Sequence, residues 1–226
     1  KVHSVDGILV PGGFGERGTE GKILTAKYAR ENKVPFLGIC LGMQAAVIEY
    51  ARNVLGIKSA HSTEMVPECA NPAVIFMPEG STTHMGGTMR LGARRTFFKT
   101  QDCKAAKLYN SSPFIDERHR HRYEVNPDMV DKLESAGCVF VGKDETNKRM
   151  EILELDDHPF FLATQYHPEY KSRPGRPSPP FMGLILAASR QLDHYITTEA
   201  IEMRTNAPGG FIQSPLKALK RLNKPM

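Results

Sequence analysis

Three short motifs contain the residue types that a cysteine hydrolase needs, and the first surrounds Cys40. Gly38-Ile39-Cys40-Leu41-Gly42 is the cysteine counterpart of the G-x-S-x-G nucleophile elbow. The flanking glycines would let the backbone turn sharply, and the positive end of a following helix favours a thiolate. The Leu41 amide would be free to donate to an oxyanion. The pentapeptide predicts a nucleophilic Cys40, and a buried structural cysteine is an equally compatible alternative on this motif alone.

The second motif, Tyr166-His167-Pro168-Glu169, follows an apolar run. A cysteine nucleophile needs a base, and that base needs an acceptor to orient it. Because α/β sites gather at the carboxyl ends of strands, we expect His167 to face Cys40 and Glu169 to bind its other nitrogen. Alone, a histidine near a glutamate is a weak signal, since most histidines are surface or satisfied core groups.

The third motif is the glycine-rich stretch Pro11-Gly12-Gly13-Phe14-Gly15. Such a loop can present backbone N–H groups to an oxyanion, although an ordinary glycine turn has the same composition. The G-x-G-x-x-G spacing is absent, so a dinucleotide fingerprint is not predicted here.

The elements that must position these motifs alternate between strands and helices. The pattern predicts strands at Ile8–Val10 and Pro35–Ile39 and helices at about Gly21–Asn32 and Leu41–Arg52. This alternation is typical of a parallel sheet in an α/β domain.

Further elements are predicted downstream. Strands are expected at Val74–Met77, Thr88–Leu91, Cys138–Gly142, Met150–Leu155 and Phe160–Tyr166, and helices at Met129–Ala136 and Phe181–Tyr195. Met150–Leu155 alternates apolar and acidic residues, which predicts one solvated face. Arg173–Pro180 is predicted to be an extended loop. Residues 197–226 are predicted to be a loosely ordered tail or a short docking helix at Leu216–Leu222.

Composition narrows the class of protein. The chain has 226 residues, 40% hydrophobic and 24% charged, which is ordinary for a soluble globular domain. No apolar run is long enough to predict a membrane span, and a net charge of +5 is too mild to predict nucleic-acid binding. Four cysteines without C-x-x-C spacing predict no metal site and a reducing compartment, here the cytoplasm. Because the chain starts at Lys1 in nearly core-like sequence, we expect a piece of a longer protein.

In this order, P-G-G, G-x-C-x-G and H-P-E resemble the class I (triad) glutamine amidotransferases. The longer stretches Gly38–Gln44, Gly86–Gly92 and Glu117–Asn126 resemble the glutaminase domains of CTP synthases, and the resemblance covers roughly Asp6–Tyr195. It implies a flavodoxin-like α/β domain at 1–196, with a mostly parallel central sheet flanked by helices. Residues 197–226 resemble the variable tail of eukaryotic members, and an amidoligase domain would precede Lys1.

The resemblance also implies roles for particular residues. Cys40 resembles the nucleophile, His167 the base and Glu169 its orienting acid, and the oxyanion donors would be the amides of Gly13 and Leu41. Glutamine would contact Gly13, Leu41, Gln44, Glu64 and Arg122. An acid for the substrate's ammonium and a guanidinium for its carboxylate suit an amino acid. The rest of the run Arg118–Arg122 is compatible with a phosphate-binding patch or a solvated loop.

The implied reaction is hydrolysis of L-glutamine through a cysteine thioester, supplying ammonia for ATP-dependent amination of UTP to CTP. No cofactor is expected in this domain, whereas ATP, Mg²⁺ and allosteric GTP are implied for the full-length enzyme. The expected partners are L-glutamine, the amidoligase domain and, at full length, further copies in tetramers or filaments. Two alternatives stay open: another γ-glutamyl cysteine hydrolase, or an isolated domain that is nearly inactive and acts in regulation or assembly.

Overall fold

A computed structural model describes residues 2–77, 89–197 and 200–202. The apolar runs form the centre of a seven-stranded sheet with the order β1-β2-β10-β9-β8-β5-β6, and a small sheet has the order β3-β4-β7. The strands are β1 (Ile8–Val10), β2 (Phe36–Ile39), β3 (Ala60–Ser62), β4 (Asn71–Phe76), β5 (Arg90–Phe98), β6 (Phe114–His121), β7 (Tyr123–Val125), β8 (Cys138–Asp144), β9 (Met150–Leu155) and β10 (Phe161–Thr164). The helices are α1 (Thr19–Glu31), α2 (Leu41–Asn53), α3 (Lys104–Leu108), α4 (Pro127–Ser135), α5 (Pro179–Ala188) and α6 (Leu192–Tyr195).

The large sheet has a parallel part and an antiparallel part. β2 pairs in parallel with both β1 and β10, and the remaining pairings, from β10 through β9, β8 and β5 to β6, are antiparallel. Parallel neighbouring strands need a long crossover connection, and the connections between β8, β9 and β10 are too short to provide one. The predicted α/β class is therefore confirmed, with a sheet that is less parallel than the strand–helix pattern predicted.

Helices cover both faces of this sheet. Side chains of β2 alternate between the two faces, with Phe36 in one apolar core and Leu37 in the other. The first core lies under α1, α2 and α4, where Phe36 stacks on Phe161 with 4.3 Å between ring centroids. The second core lies under α3, α5 and α6. Because β2 is buried on both sides, the turn that follows it is held firmly in place.

The small sheet connects β6 to α4. β7 pairs antiparallel with β4, and Asn126 then begins α4 by accepting a hydrogen bond from the Asp128 amide at 3.1 Å. The Asn126 side-chain amide also donates to Pro72 O at 2.7 Å. These contacts fix the backbone around Arg122 and Tyr123 from the C-terminal side.

The prediction of a solvated face on β9 is wrong. All six of its residues are buried, because β9 lies inside the sheet and its acids have internal partners. Glu151 pairs with Arg90 at 2.8 Å. Glu154 accepts the amides of Lys104 and Ala105 at 3.2 and 2.6 Å.

Two further predictions differ from the structure. The single helix expected at Phe181–Tyr195 is two helices, α5 and α6, since Arg190 between them has a φ of 58°. The solvated-loop alternative for Arg118–Arg122 is wrong as well. Residues 118–121 lie in β6, where side chains alternate between exposed and buried.

The strand predicted at Thr88–Leu91 is present with different bounds. β5 begins at Arg90 and runs to Phe98, well past the expected strand at Thr88–Leu91. Two predicted segments lie outside the described residues. One is Gly86–Thr88, which is part of the family-like stretch Gly86–Gly92, and the other is the tail from 203 onward, which includes Leu216–Leu222. Among the described helices, none has the length and apolar character needed to cross a membrane.

Candidate active site

Cys40 occupies the turn between β2 and α2. Its φ of 51° and ψ of −102° lie outside the regions that ordinary L-residues prefer. The turn is held from both sides: the Cys40 amide donates to Thr164 O at 2.7 Å, and its carbonyl accepts from the Gln44 amide at 3.1 Å. The predicted sharp strand-to-helix turn is therefore present, with the thiol at the N-terminus of a 13-residue helix.

The glycines flanking Cys40 are required by close backbone contacts. A Cβ on Gly38 would lie 2.8 Å from Gly42 O, and a Cβ on Gly42 would overlap Val10 O. The motif therefore spaces its glycines where the strand, the turn and α2 approach most closely.

His167 and Glu169 form a tight pair beside this turn. His167 follows β10, and Pro168 starts a short 3₁₀ turn that brings Glu169 back, so that Oε1 lies 2.6 Å from His167 Nδ1. The His167 amide donates to Arg118 O at 2.8 Å, which anchors the histidine to the edge of β6. Since a carboxylate only accepts, Nδ1 carries the proton and Nε2 is the nitrogen left for a reaction.

The charges around His167 favour its protonated form. Burial lowers the pKa of His167, but Cys40 and Glu169 raise it by more, to about 10. In turn, His167 holds the pKa of Glu169 below its usual value, against the raising effect of burial. His167 Nε2 is buried and has no hydrogen-bond partner among the described residues, so it is free to exchange a proton. The geometry suits a thiolate–imidazolium pair.

The glycine-rich loop after β1 packs against the same pair. A Cβ on Gly12 would lie 2.8 Å from His167 Cε1 and 3.4 Å from Cys40 Cβ. At Gly13 the corresponding position is 3.5 Å from Leu41 Cδ2. The structure therefore places Gly13 against the side chain of Leu41, the residue that follows Cys40.

Three of the five predicted glutamine contacts act through side chains, those of Gln44, Glu64 and Arg122. Gln44, on the first turn of α2, is buried and donates to Tyr123 O at 3.0 Å and to Gln165 Oε1 at 3.3 Å. Glu64 accepts the Gly15 amide at 2.9 Å and so also holds the glycine-rich loop.

Arg122 lies between β6 and β7 and completes the set. Its Nε is buried without a hydrogen-bond partner in the described part of the chain. Burial and Glu64 raise the pKa of Tyr123, and Arg122 lowers it, so an acid and a guanidinium both act at this tyrosine. A buried, unpaired guanidinium nitrogen is a group that an anionic ligand would satisfy.

Sequence reasoning missed the part of β6 that lies beneath the site. Arg118 and Arg120 contribute their carbonyls, the first to His167 N and the second 4.0 Å from Cys40 Sγ. His119 and His121 point inward and are buried, with 3.1 Å between His119 Nδ1 and His121 Nε2. The strict alternation of arginine and histidine at 118–121 was a two-residue period, the signal of a strand.

No group of three or more His, Cys, Asp or Glu side chains with metal-binding geometry occurs among the described residues. All four cysteines are free thiols.

Comparisons with known proteins agree with this geometry. The sequence model of the family described as glutamine amidotransferase class-I matches residues 1–187. The chain is 58% identical over 200 residues to CTP synthase of Candida glabrata, covering 87% of the chain and 35% of that protein. It is 56% identical over 196 residues to human CTP synthase 1, covering 87% and 33%. The chain thus spans about a third of the length of these relatives.

A solved structure of a glutaminase domain has the same fold as this chain. The glutaminase domain of Trypanosoma brucei CTPS, with bound acivicin, superposes with a TM-score of 0.80 and 41% sequence identity. The match covers 84% of this chain and 73% of that one. By its sequence, its fold and the arrangement around Cys40, the chain belongs to the class I glutamine amidotransferase family, among the glutaminase domains of CTP synthases.

Proposed function

We propose that this chain hydrolyses L-glutamine to glutamate and ammonia, with Cys40 as nucleophile, His167 as acid and base, and Glu169 as the acid that orients His167. The observation that supports this most directly is the Cys40 turn, at φ 51°, beside a histidine whose other nitrogen is held by Glu169 at 2.6 Å. A nucleophile, a base and an orienting carboxylate in contact are the minimum set for acyl transfer.

In the first half-reaction, the Cys40 thiolate attacks the side-chain amide carbon of glutamine, while His167 holds the proton from the thiol. The backbone amides of Gly13 and Leu41 would donate to the oxygen that becomes negatively charged. His167 then gives its proton to the amide nitrogen, the C–N bond breaks and ammonia leaves. A γ-glutamyl thioester remains on Cys40.

In the second half-reaction, neutral His167 removes a proton from water, and the resulting hydroxide attacks the thioester carbon. The C–S bond breaks, glutamate is released, and the Cys40 thiolate and the His167 imidazolium are restored. Glu169 keeps the Nδ1 proton in place in both steps, so that Nε2 always faces the reaction.

Substrate binding is proposed for Gly13, Leu41, Gln44, Glu64 and Arg122. Arg122 would bind the α-carboxylate and Glu64 the α-ammonium, since opposite charges at the two ends of the pocket match a free amino acid. Glu64 and Arg122 change the pKa of Tyr123 in opposite directions, so both lie near this tyrosine.

For the whole protein we propose that the ammonia serves the ATP-dependent amination of UTP to CTP on an amidoligase domain. This follows from the CTP synthase relatives, of which the chain spans about a third. ATP and Mg²⁺ would bind to that other domain, and GTP would activate the glutaminase where the two domains meet. Assembly into homo-oligomers and a cytoplasmic location are proposed for the same protein.

The test uses glutamine analogues that trap the nucleophile. The chain is incubated with acivicin or 6-diazo-5-oxo-norleucine, the mass of the intact protein and its labelled peptide are measured, and ammonia release from glutamine is followed in parallel. We expect a label on Cys40 in the wild type, and no label or ammonia release in Cys40→Ala. Cys69→Ala, which removes a half-buried thiol, is the control and should behave as the wild type.

Labelling that persists in Cys40→Ala would refute the nucleophile. Faster turnover of γ-glutamyl peptides than of glutamine would favour the γ-glutamyl hydrolase alternative. Labelling without ammonia release, with release restored by adding the amidoligase domain, would favour a domain that depends on its partner.

A further inference from the structure

The buried histidines His119 and His121 lie on the inner face of β6, outside the set of residues that the proposed reaction uses. Their exposed fractions are 2% and 3%. His119 Nδ1 lies 3.1 Å from His121 Nε2, and His121 Nδ1 lies 3.0 Å from Tyr123 O. The two rings therefore form a continuous hydrogen-bonded path that ends on a backbone carbonyl.

Both imidazoles are neutral in this environment. Burial lowers the pKa of His119 to about 2, with further lowering by His121. Burial likewise lowers the pKa of His121 to about 3, although its bond to Tyr123 O acts in the opposite direction. Each ring then carries one proton, and the direction of every bond in the path can be assigned.

The assignment starts at Tyr123 O, which can only accept. His121 must carry its proton on Nδ1, so His121 Nε2 has a lone pair and must accept from His119 Nδ1. His119 Nε2 is then an acceptor as well. This nitrogen has no hydrogen-bond partner among the described residues, and Glu151 Oε2 lies 3.7 Å from it, beyond hydrogen-bond distance.

The carbonyl at the end of this path also orients a glutamine-site residue. Tyr123 O accepts from Gln44 Nε2 at 3.0 Å, so both of its lone pairs are used. Gln44 Nε2 also donates to Gln165 Oε1 at 3.3 Å, which leaves only Oε1 of this amide to meet a ligand. Tyr123 directly follows Arg122, the proposed carboxylate ligand.

We propose that His119 and His121 are positioning residues of the glutamine pocket: through fixed tautomers they hold the Tyr123 carbonyl against which the Gln44 side chain is oriented. This proposal rests on the proposed glutaminase function. The hydrogen bonds of the two histidines lead to Tyr123 O, so they act on substrate binding through Tyr123 and Gln44.

The test compares two substitutions of His121 that differ in one hydrogen bond. His121→Leu loses the donor to Tyr123 O, whereas in His121→Asn the side-chain amide nitrogen can take the place of Nδ1 and donate to the same oxygen. His158→Leu is the control, because His158 is also buried and bonded to backbone groups, at Ala29 O and Phe160 N, at the opposite end of β10.

We expect His121→Leu to raise KM for glutamine about tenfold, the loss of roughly one hydrogen bond, with kcat changed less than about twofold. His121→Asn should restore KM to within about twofold of the wild type, and His158→Leu should leave KM unchanged. In ¹⁵N-histidine NMR spectra, both His119 and His121 should show protonated Nδ1 and unprotonated Nε2 from pH 6 to 8.

A fall in kcat at constant KM would overturn the proposal, since it would place the effect on the catalytic pair. Equal defects in His121→Leu and His121→Asn, or an Nε2-protonated tautomer of His121, would overturn it as well. If the wild type neither released ammonia nor was labelled by acivicin, the proposed function would itself fail. If the wild type were labelled and His121→Leu had an unchanged KM, only the positioning role would be rejected.

Discussion

Cys40 combines a reactive group with a backbone conformation that costs free energy. A non-glycine residue at positive φ is held there at a cost of about 1–3 kcal/mol, which the surrounding structure must offset. The bonds from Cys40 N to Thr164 O and from Gln44 N to Cys40 O do so from the neighbouring strand and helix. At this turn the thiol lies close enough to His167 to raise the pKa of that histidine.

Substitution of Gly12 tests how closely the loop after β1 packs on His167. Replacing it with alanine would place a Cβ 2.8 Å from His167 Cε1, so the imidazole must shift. We expect Gly12→Ala to lower glutaminase and acivicin-labelling rates about 100-fold, as small displacements of reacting groups do. The measurement is the labelling rate together with the thermal unfolding midpoint.

Gly21→Ala is the matched control for this substitution. Gly21 lies in α1, and a Cβ there would meet nothing within 4 Å. Alanine should leave the labelling rate unchanged and stabilise the helix by up to about 1 kcal/mol. A Gly12→Ala protein labelled as fast as Gly21→Ala would contradict the close packing of the loop on His167.

At the scale of elements, buried side chains of β5, β6 and β9 form a polar layer, in which Glu151 contacts both Arg90 and His119. Glu151 on β9 pairs with Arg90 and accepts from the Thr96 hydroxyl, both on β5. Burial raises the pKa of Glu151 to about 7, against the lowering effects of Thr96 and Arg90. The strands are therefore joined by an ion pair that depends on pH in the physiological range.

Two arginines on β5 provide a test of this layer. Arg90→Met would leave the Glu151 carboxylate buried without its cation, and this should cost the protein about 1–1.5 kcal/mol more at pH 8 than at pH 5, the free energy of protonating a group with a pKa of about 7. Because burial raises the pKa of Glu151, the folded protein loses stability as pH rises through that pKa. Removing Arg90 raises the pKa of Glu151 further. The loss should therefore be smaller at pH 5, where Glu151 is protonated in both proteins.

Arg95→Met is the control, because Arg95 pairs with Asp116 on the exposed side of the same strands. Solvent screens such a pair, so this substitution should change stability little at either pH. Urea unfolding of both variants at pH 5 and pH 8 makes the comparison. Equal losses for the two arginines, or a larger Arg90 loss at pH 5, would contradict a buried, titrating Glu151.

At the scale of the whole molecule, the boundary of the folded domain can be tested near residue 196. Ala200 and Ile201 are buried, and the Ile201 amide donates to Thr197 O at 3.0 Å. We expect a chain ending at 196 to be less stable than one ending at 202 by about 1.5–3 kcal/mol, the value of burying one isoleucine. Unfolding midpoints of the two shortened chains measure this, and identical midpoints would place the domain boundary at 196.

The sequence by itself determined where the candidate site lies, at strand ends, and indicated the chemistry that we propose for it. Gly38–Gly42 and His167–Glu169 are local motifs whose conformations follow from glycine, proline and the apolar runs before them, so the turn at Cys40 and the His167–Glu169 pair could be predicted. Strands β2 and β10 and helix α2 could be predicted for the same reason, since their periodicity is local.

The tertiary structure alone decided which residues support these motifs. Glu151 and Glu154 have the pattern of a solvated strand, but β9 lies between β8 and β10, and burial is a property of the sheet order. His119 and His121 in a basic run indicated a surface, yet pairing of β6 with β5 turns them inward. Contacts between residues far apart in the chain set burial and pairing, and no local pattern contains them.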